Sequence, residues 1–150
     1  MLSIQSETPA SPSGSICLWF QDQAQEAADF YCSLFPNSQI LHKTEFSVLF
    51  ECIGMRFLAL NGRDDSGFTH AVSFVISCAD QAEIDHYWST LISDGGKEGW
   101  CGWCTDRFGV SWQVVPSVLG TLLSDPDRGP RVAQAFRTMR KFDLHELMNL

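Results

Sequence analysis

Positive charge is scarce in this chain. Ten Lys and Arg stand against eighteen Asp and Glu, giving a formal net charge of −8 and a pI near 4.7. Such a balance argues against nucleic acid or an anionic membrane surface as the main partner. Long apolar runs are missing too: none approaches the roughly 18 residues that a membrane helix needs, so no membrane partner is expected. The opening MLSIQSETPASPSGS has neither a basic n-region nor an apolar h-region, so it is not expected to be a secretory signal. Its Ser, Pro and Gly content predicts a disordered leader over residues 1–15. Without a signal, the six cysteines are expected as free thiols in a reducing, cytoplasmic setting. The G-x-G-x-x-G, P-loop, H-E-x-x-H and G-x-S-x-G patterns are also absent, and with them the hardware for dinucleotide, nucleotide-phosphate, zincin and serine-hydrolase chemistry. No Gly-rich turn follows the first strand and feeds a helix. This counts against a cofactor-binding methyltransferase, and no cofactor is expected.

What is present suffices for one ordinary domain: 150 residues, 45% of them hydrophobic. ICLWF (16–20) alternates as a strand, and DQAQEAADFYCSLF (22–35) switches to helical period with Ala24, Ala27, Ala28, Tyr31 and Phe35 on one stripe. Asp22 is placed to cap that helix and Pro36 to stop it. Three strands follow, SQILHKTEF, VLFECIG and MRFLALNG, with turns at Gly54 and at Asn61-Gly62. After a polar connector (63–69), HAVSFVISC (70–78) reads as a strand and DQAEIDHYWSTLI (80–92) as a helix opened by Asp80. SDGG ends the helix, GKEG supplies a weak strand, and GWCGWCT pairs with GVSWQVV across DRFG. The letters echo as well, DQAQ…DFYCS against DQAE…DHYWS. Together these predict a duplicated β-α-β-β-β unit, with module one about 16–62, module two about 70–116 and a helical tail over 117–150. In the tail, Val132, Phe136 and Met139 recur at helical spacing, and their stripe needs the sheet or a second subunit to cover it.

Cys101-x-x-Cys104 invites a redox or zinc reading. A thioredoxin-like dithiol sits at a helix N-terminus; here Cys104 is followed by Thr-Asp-Arg-Phe-Gly and β-period residues. A structural zinc site wants four ligands, and no second pair exists. The cysteines read as ordinary members of a hairpin.

His70 is the candidate catalytic residue, placed at a strand start with Val72, Phe74 and Ile76 as same-face neighbours. On the last strand Ser111, Gln113 and Val115 share one face, and Trp112 and Val114 the other. His70 with Gln113 offers one imidazole and one amide to a ligand or a metal. Five tryptophans suit either a packed core or a lined pocket. An aromatic-walled cleft with Trp19, Asn61, His70, Trp103 and Gln113 as contacts would hold a small organic ligand.

CLWFQDQAQEAADFYCSLFPNSQI, FLALNG, AVSFVISCADQAEIDHYWSTL, CGWCTDRFGVSWQVVP and LLSDPD together resemble the PhnB-like branch of the glyoxalase/bleomycin-resistance/extradiol dioxygenase (vicinal oxygen chelate) superfamily, often labelled 3-demethylubiquinone-9 3-methyltransferase-like. The resemblance runs from about Ile16 to about Met139. It implies an α+β fold in which paired modules make an incomplete eight-stranded barrel with C-terminal helices, commonly as a homodimer. It also implies four metal-ligand positions. In this chain His70 and Gln113 fall at two of them, as vestigial candidates; Ile16 falls at a third, and Ala59 or Asn61 at the fourth. One strong ligand among these predicts no tightly bound metal. Three functions stay open: binding of a small molecule, which is favoured; metal-assisted isomerisation, lysis or transfer; and a structural role with the cavity filled by side chains.

Overall fold

The computed structural model describes residues 11–64 and 67–150. The leader expected over 1–15 falls mostly outside these residues. The chain divides into two compact units, residues 1–64 and 65–150. In the first, β1 (Ile16–Trp19), α1 (Ala24–Leu34), β2 (Gln39–Lys43), β3 (Ser47–Cys52) and β4 (Met55–Leu60) form a sheet ordered β1-β4-β3-β2. In the second, β5 (Phe74–Cys78), α2 (Gln81–Leu91), β6 (Lys97–Glu98), β7 (Trp103–Thr105) and β8 (Ser111–Pro116) form one ordered β5-β8-β7-β6. Each unit joins its first and last strands in parallel and the rest antiparallel. The repeated element order therefore reflects a repeated topology, an α+β fold of two β-α-β-β-β modules, with two four-stranded sheets and no closed barrel.

Alternation explains which face each sheet buries. In β3, Val48, Phe50 and Cys52 are buried while Ser47, Leu49 and Glu51 are partly open. The buried row continues through Phe57, Ala59 and Leu18, under Ala24, Ala27, Ala28, Tyr31 and Leu34 of α1. Three alanines let the helix approach closely. Tyr31 stacks on Phe50 at 6.2 Å, and Phe50 on its cross-strand partner Phe57 at 5.3 Å. In the second unit Phe74, Ile76, Cys78, Cys104, Trp112 and Val114 lie buried, as do Ile84, Trp88 and Leu91 of α2.

The two helices begin differently despite their matching letters. Asp80 caps α2 as expected, its carboxylate accepting from Glu83 N at 2.9 Å, while Glu83 Oε2 accepts from Ala79 N. Asp22 does not cap α1. Asn61, just past β4, reaches across instead, its Oδ1 accepting from Ala24 N at 2.8 Å.

The tail differs most from expectation. α3 (Leu119–Ser124) precedes α4 (Gly129–Phe136), and the helix expected to carry Val132, Phe136 and Met139 stops at Phe136; α5 (Leu144–Met148) follows after a break. Between them the chain lies along the hairpin entry, Cys101 N donating to Met139 O and Gly102 N to Arg140 O. Met139 and Phe142 are buried there, which keeps the apolar spacing without the helix. The Gln81 side chain ties this segment to α2 by donating to Phe142 O and accepting from Leu144 N. Three of the C-terminal cations have partners: Lys141 pairs with Asp85 at 2.7 Å, Arg140 stacks over Trp100 at 3.6 Å, and Arg128 donates to the carbonyls of Met148 and Leu150. No described helix is long and apolar enough to cross a membrane.

Candidate functional site

The turn from β7 to β8 is built around Asp106, which is 2% exposed. Its Oδ1 accepts from Phe108 N and Val110 N, and its Oδ2 from Trp112 Nε1 at 2.8 Å. That carboxylate closes the hairpin and fixes the strand register, and the register arranges the open face. Lys97, Thr105 and Ser111 are directly opposed across β6, β7 and β8; one step along, Trp103, Gln113 and Val75 are opposed across β7, β8 and β5. Directly opposed residues share a face, so a polar row lies beside an aromatic and amide row.

A pocket of about 220 Å³ opens here, lined by His70, Lys97, Glu98, Gly99, Trp103, Cys104 and Thr105. Glu98 and Cys104 belong to the alternate face, and the Glu98 carboxylate accepts from Trp88 Nε1 at 3.2 Å. Gly99 lets its segment approach the backbone of β7 closely: a Cβ there would lie 2.7 Å from Trp103 O and 3.2 Å from Trp103 Cβ.

His70 reaches this pocket from a turn. The strand expected from 70 begins only at Phe74, so His70 does not share a strand face with Val72, Phe74 and Ile76. Its Nδ1 lies 2.7 Å from Ser111 Oγ, a hydroxyl on a residue 1% exposed. Ser111 is too enclosed to act as a nucleophile and instead orients the imidazole. Gln113 lies next to the pocket, its Nε2 donating to Ser73 Oγ at 2.9 Å. Trp19 and Asn61 belong to the first unit. Trp19 is 48% exposed on β1, and Asn61 is engaged as the cap of α1. Lys97 and Thr105 escaped the sequence reading; their signal is the weak GKEG strand, once its register against β7 is known.

The cysteine pair separates cleanly. Cys104 is buried on β7, where burial pushes its thiol up to about 12 and nearby Asp106 adds to the effect. Cys101 sits in the preceding turn at φ +57°. All six cysteines are free; Cys52 and Cys78 are buried, while Cys17 is exposed. Around His70 and Gln113 the donor set is one imidazole and one amide. Among the described residues no cluster of three His, Cys, Asp or Glu could hold a metal ion. Ile16 shares the register of buried Phe57, and Ala59 is itself buried. These residues do not fit a catalytic divalent centre, which needs anionic ligands as well as geometry.

The family model described as 3-demethylubiquinone-9 3-methyltransferase matches residues 13–115. The chain belongs to that family. It is PhnB-like, within the vicinal oxygen chelate superfamily. A PhnB protein from Bacillus cereus is similar in structure, at 26% identity and TM-score 0.63, covering 70% of this chain and 99% of that one. A protein from Pseudomonas aeruginosa shares the fold at 18% identity and TM-score 0.56, over 69% of this chain and 96% of that one. So does FosX, a fosfomycin resistance protein from Listeria monocytogenes, in a mutant complexed with Mn(II) and a dihydroxypropylphosphonic acid. That match has 15% identity and TM-score 0.54, over 77% of this chain and 98% of that one. No curated protein matches the chain.

Proposed function

We propose that this PhnB-like protein binds a small organic ligand on the open face of its second unit. The observation that carries the reading is the pocket itself, about 220 Å³ lined by Trp103, His70, Lys97, Glu98 and Thr105, with the imidazole held by a buried hydroxyl. That volume is below the roughly 300–1,000 Å³ of drug-sized sites, so the ligand is small. Methyl transfer as the family label suggests has no support in the strand-to-helix connections. Neither 20–23 nor 79–80 holds a glycine to bring backbone against a nucleotide cofactor. A second reading, proton transfer by His70 on the bound ligand, is favoured by the Ser111 contact that fixes the ring.

The test is a fragment screen by NMR on the labelled full chain, with shifts mapped to residues. Perturbations centred on His70, Trp103 and Thr105 support the reading, and a library that leaves all three unmoved refutes it. We also propose a homodimer, supported by exposed Phe46 and Trp100, and a cytoplasmic setting, supported by six free thiols.

A further inference from the structure

We propose that the ligand is a small aromatic carboxylate, its ring against Trp103 and its carboxylate between Lys97, Thr105 and His70. The inference rests on the pocket being a ligand site and adds the chemical class. Register puts the Lys97 ammonium and the Thr105 hydroxyl on one face, with His70 joined to the same row through Ser111. Glu98 also lines the pocket, but it pairs with Cys104 on the alternate face of the sheet, where its carboxylate accepts from Trp88 Nε1 at 3.2 Å. What remains is a cationic donor and a hydroxyl beside an imidazole, the complement of an oxyanion. Trp103 lies two residues from Thr105 along the same strand and on the same face, one step from that row. Aromatic rings pair offset or edge-on with indole. Size limits the rest: an engineered apolar cavity of roughly 150 Å³ takes up benzene, so about 220 Å³ leaves room for one ring and a carboxylate. In a chain of net charge −8 overall, an anion needs such a local concentration of donors to bind at all.

The experiment compares benzoate, benzamide and benzylamine by NMR titration of the labelled full chain, repeated on Lys97→Gln and Lys97→Arg. Benzoate is expected to shift His70, Trp103 and Thr105 and to bind about tenfold more tightly than benzamide, with benzylamine weaker still. Lys97→Gln should bring benzoate down to the benzamide level, and Lys97→Arg should retain the preference. Lys97 lies on an exposed strand, so both variants are expected to keep the parent spectrum elsewhere. Equal affinity for benzoate and benzamide at the same residues would overturn the carboxylate while leaving the pocket as a ligand site. Shifts confined to other residues, or none from any probe, would overturn the carboxylate, and the fragment screen then decides the pocket separately.

Discussion

Asp106→Asn replaces one oxygen of a buried carboxylate with an NH2 group and changes almost nothing in volume. The amide oxygen can still accept from Phe108 N and Val110 N, so the nitrogen must face Trp112 Nε1, where Asp106 Oδ2 now accepts at 2.8 Å. Two donors then point at each other. A bond to a charged acceptor contributes about 1.5–3 kcal/mol, and a buried donor left unsatisfied costs about 1–3 kcal/mol. Removing a desolvated charge offsets part of that loss. The net expectation is a destabilisation of about 2–4 kcal/mol, or roughly 5–12 °C in Tm for a chain of this size. Urea unfolding followed by tryptophan fluorescence should show a lower midpoint at unchanged slope. The double cycle with Trp112→Phe isolates the pair, because phenylalanine has no N–H to strand. A coupling of at least about 1 kcal/mol is expected. A cost below about 0.5 kcal/mol for Asp106→Asn, or additivity within that margin, would refute the claim that this carboxylate organises the hairpin.

The thiols give a second test. Burial foremost pushes Cys52, Cys78 and Cys104 up to about 12, so a thiol reagent at pH 8 should label exposed Cys17 readily and leave those three until the chain unfolds. A buried thiol keeps its proton after the unfolded chain has lost it. Stability from these groups is therefore full below about pH 9 and declines as pH rises towards 12, which denaturant midpoints across that window will check. Gly102→Ala should cost about 3 kcal/mol, since φ is +79° and a Cβ would press on the Phe142 ring and lie 2.8 Å from Val114 O. Hydrogen exchange is expected to show the residue 139–142 segment loosening first, and an unchanged Phe142 environment would contradict that packing.

Topology was legible because each strand's alternation and each helix's period are local properties. Val48, Phe50 and Cys52 announce their face without any partner, and Asp80 sits where a cap belongs. Features set by distant residues were not legible. Asn61 caps a helix 37 positions earlier in the chain, so Asp22 looked the better placed. Met139 keeps helical spacing after Phe136 because it packs on the hairpin from an irregular, non-helical segment. His70 and Trp103 could be singled out by residue type; the structure brings them to one pocket, with Gln113 on the strand beside it. Lys97 and Thr105 become neighbours only through a two-residue strand whose pairing no sequence pattern declares.

The cap that Asn61 supplies also bears on how the first unit holds together. An eleven-residue helix is marginal in water by itself, and α1 has no capping side chain of its own at Gln23. Its missing acceptor arrives only when the chain beyond β4 lies alongside β1, where Phe20 N donates to Leu60 O and Gly62 N to Gln21 O. Helix ordering and closure of the parallel strand pair are thus one event. A peptide covering residues 16–36 lacks the group that starts its helix, and strand exchange at β4 would unfasten that helix before disturbing any of its internal hydrogen bonds.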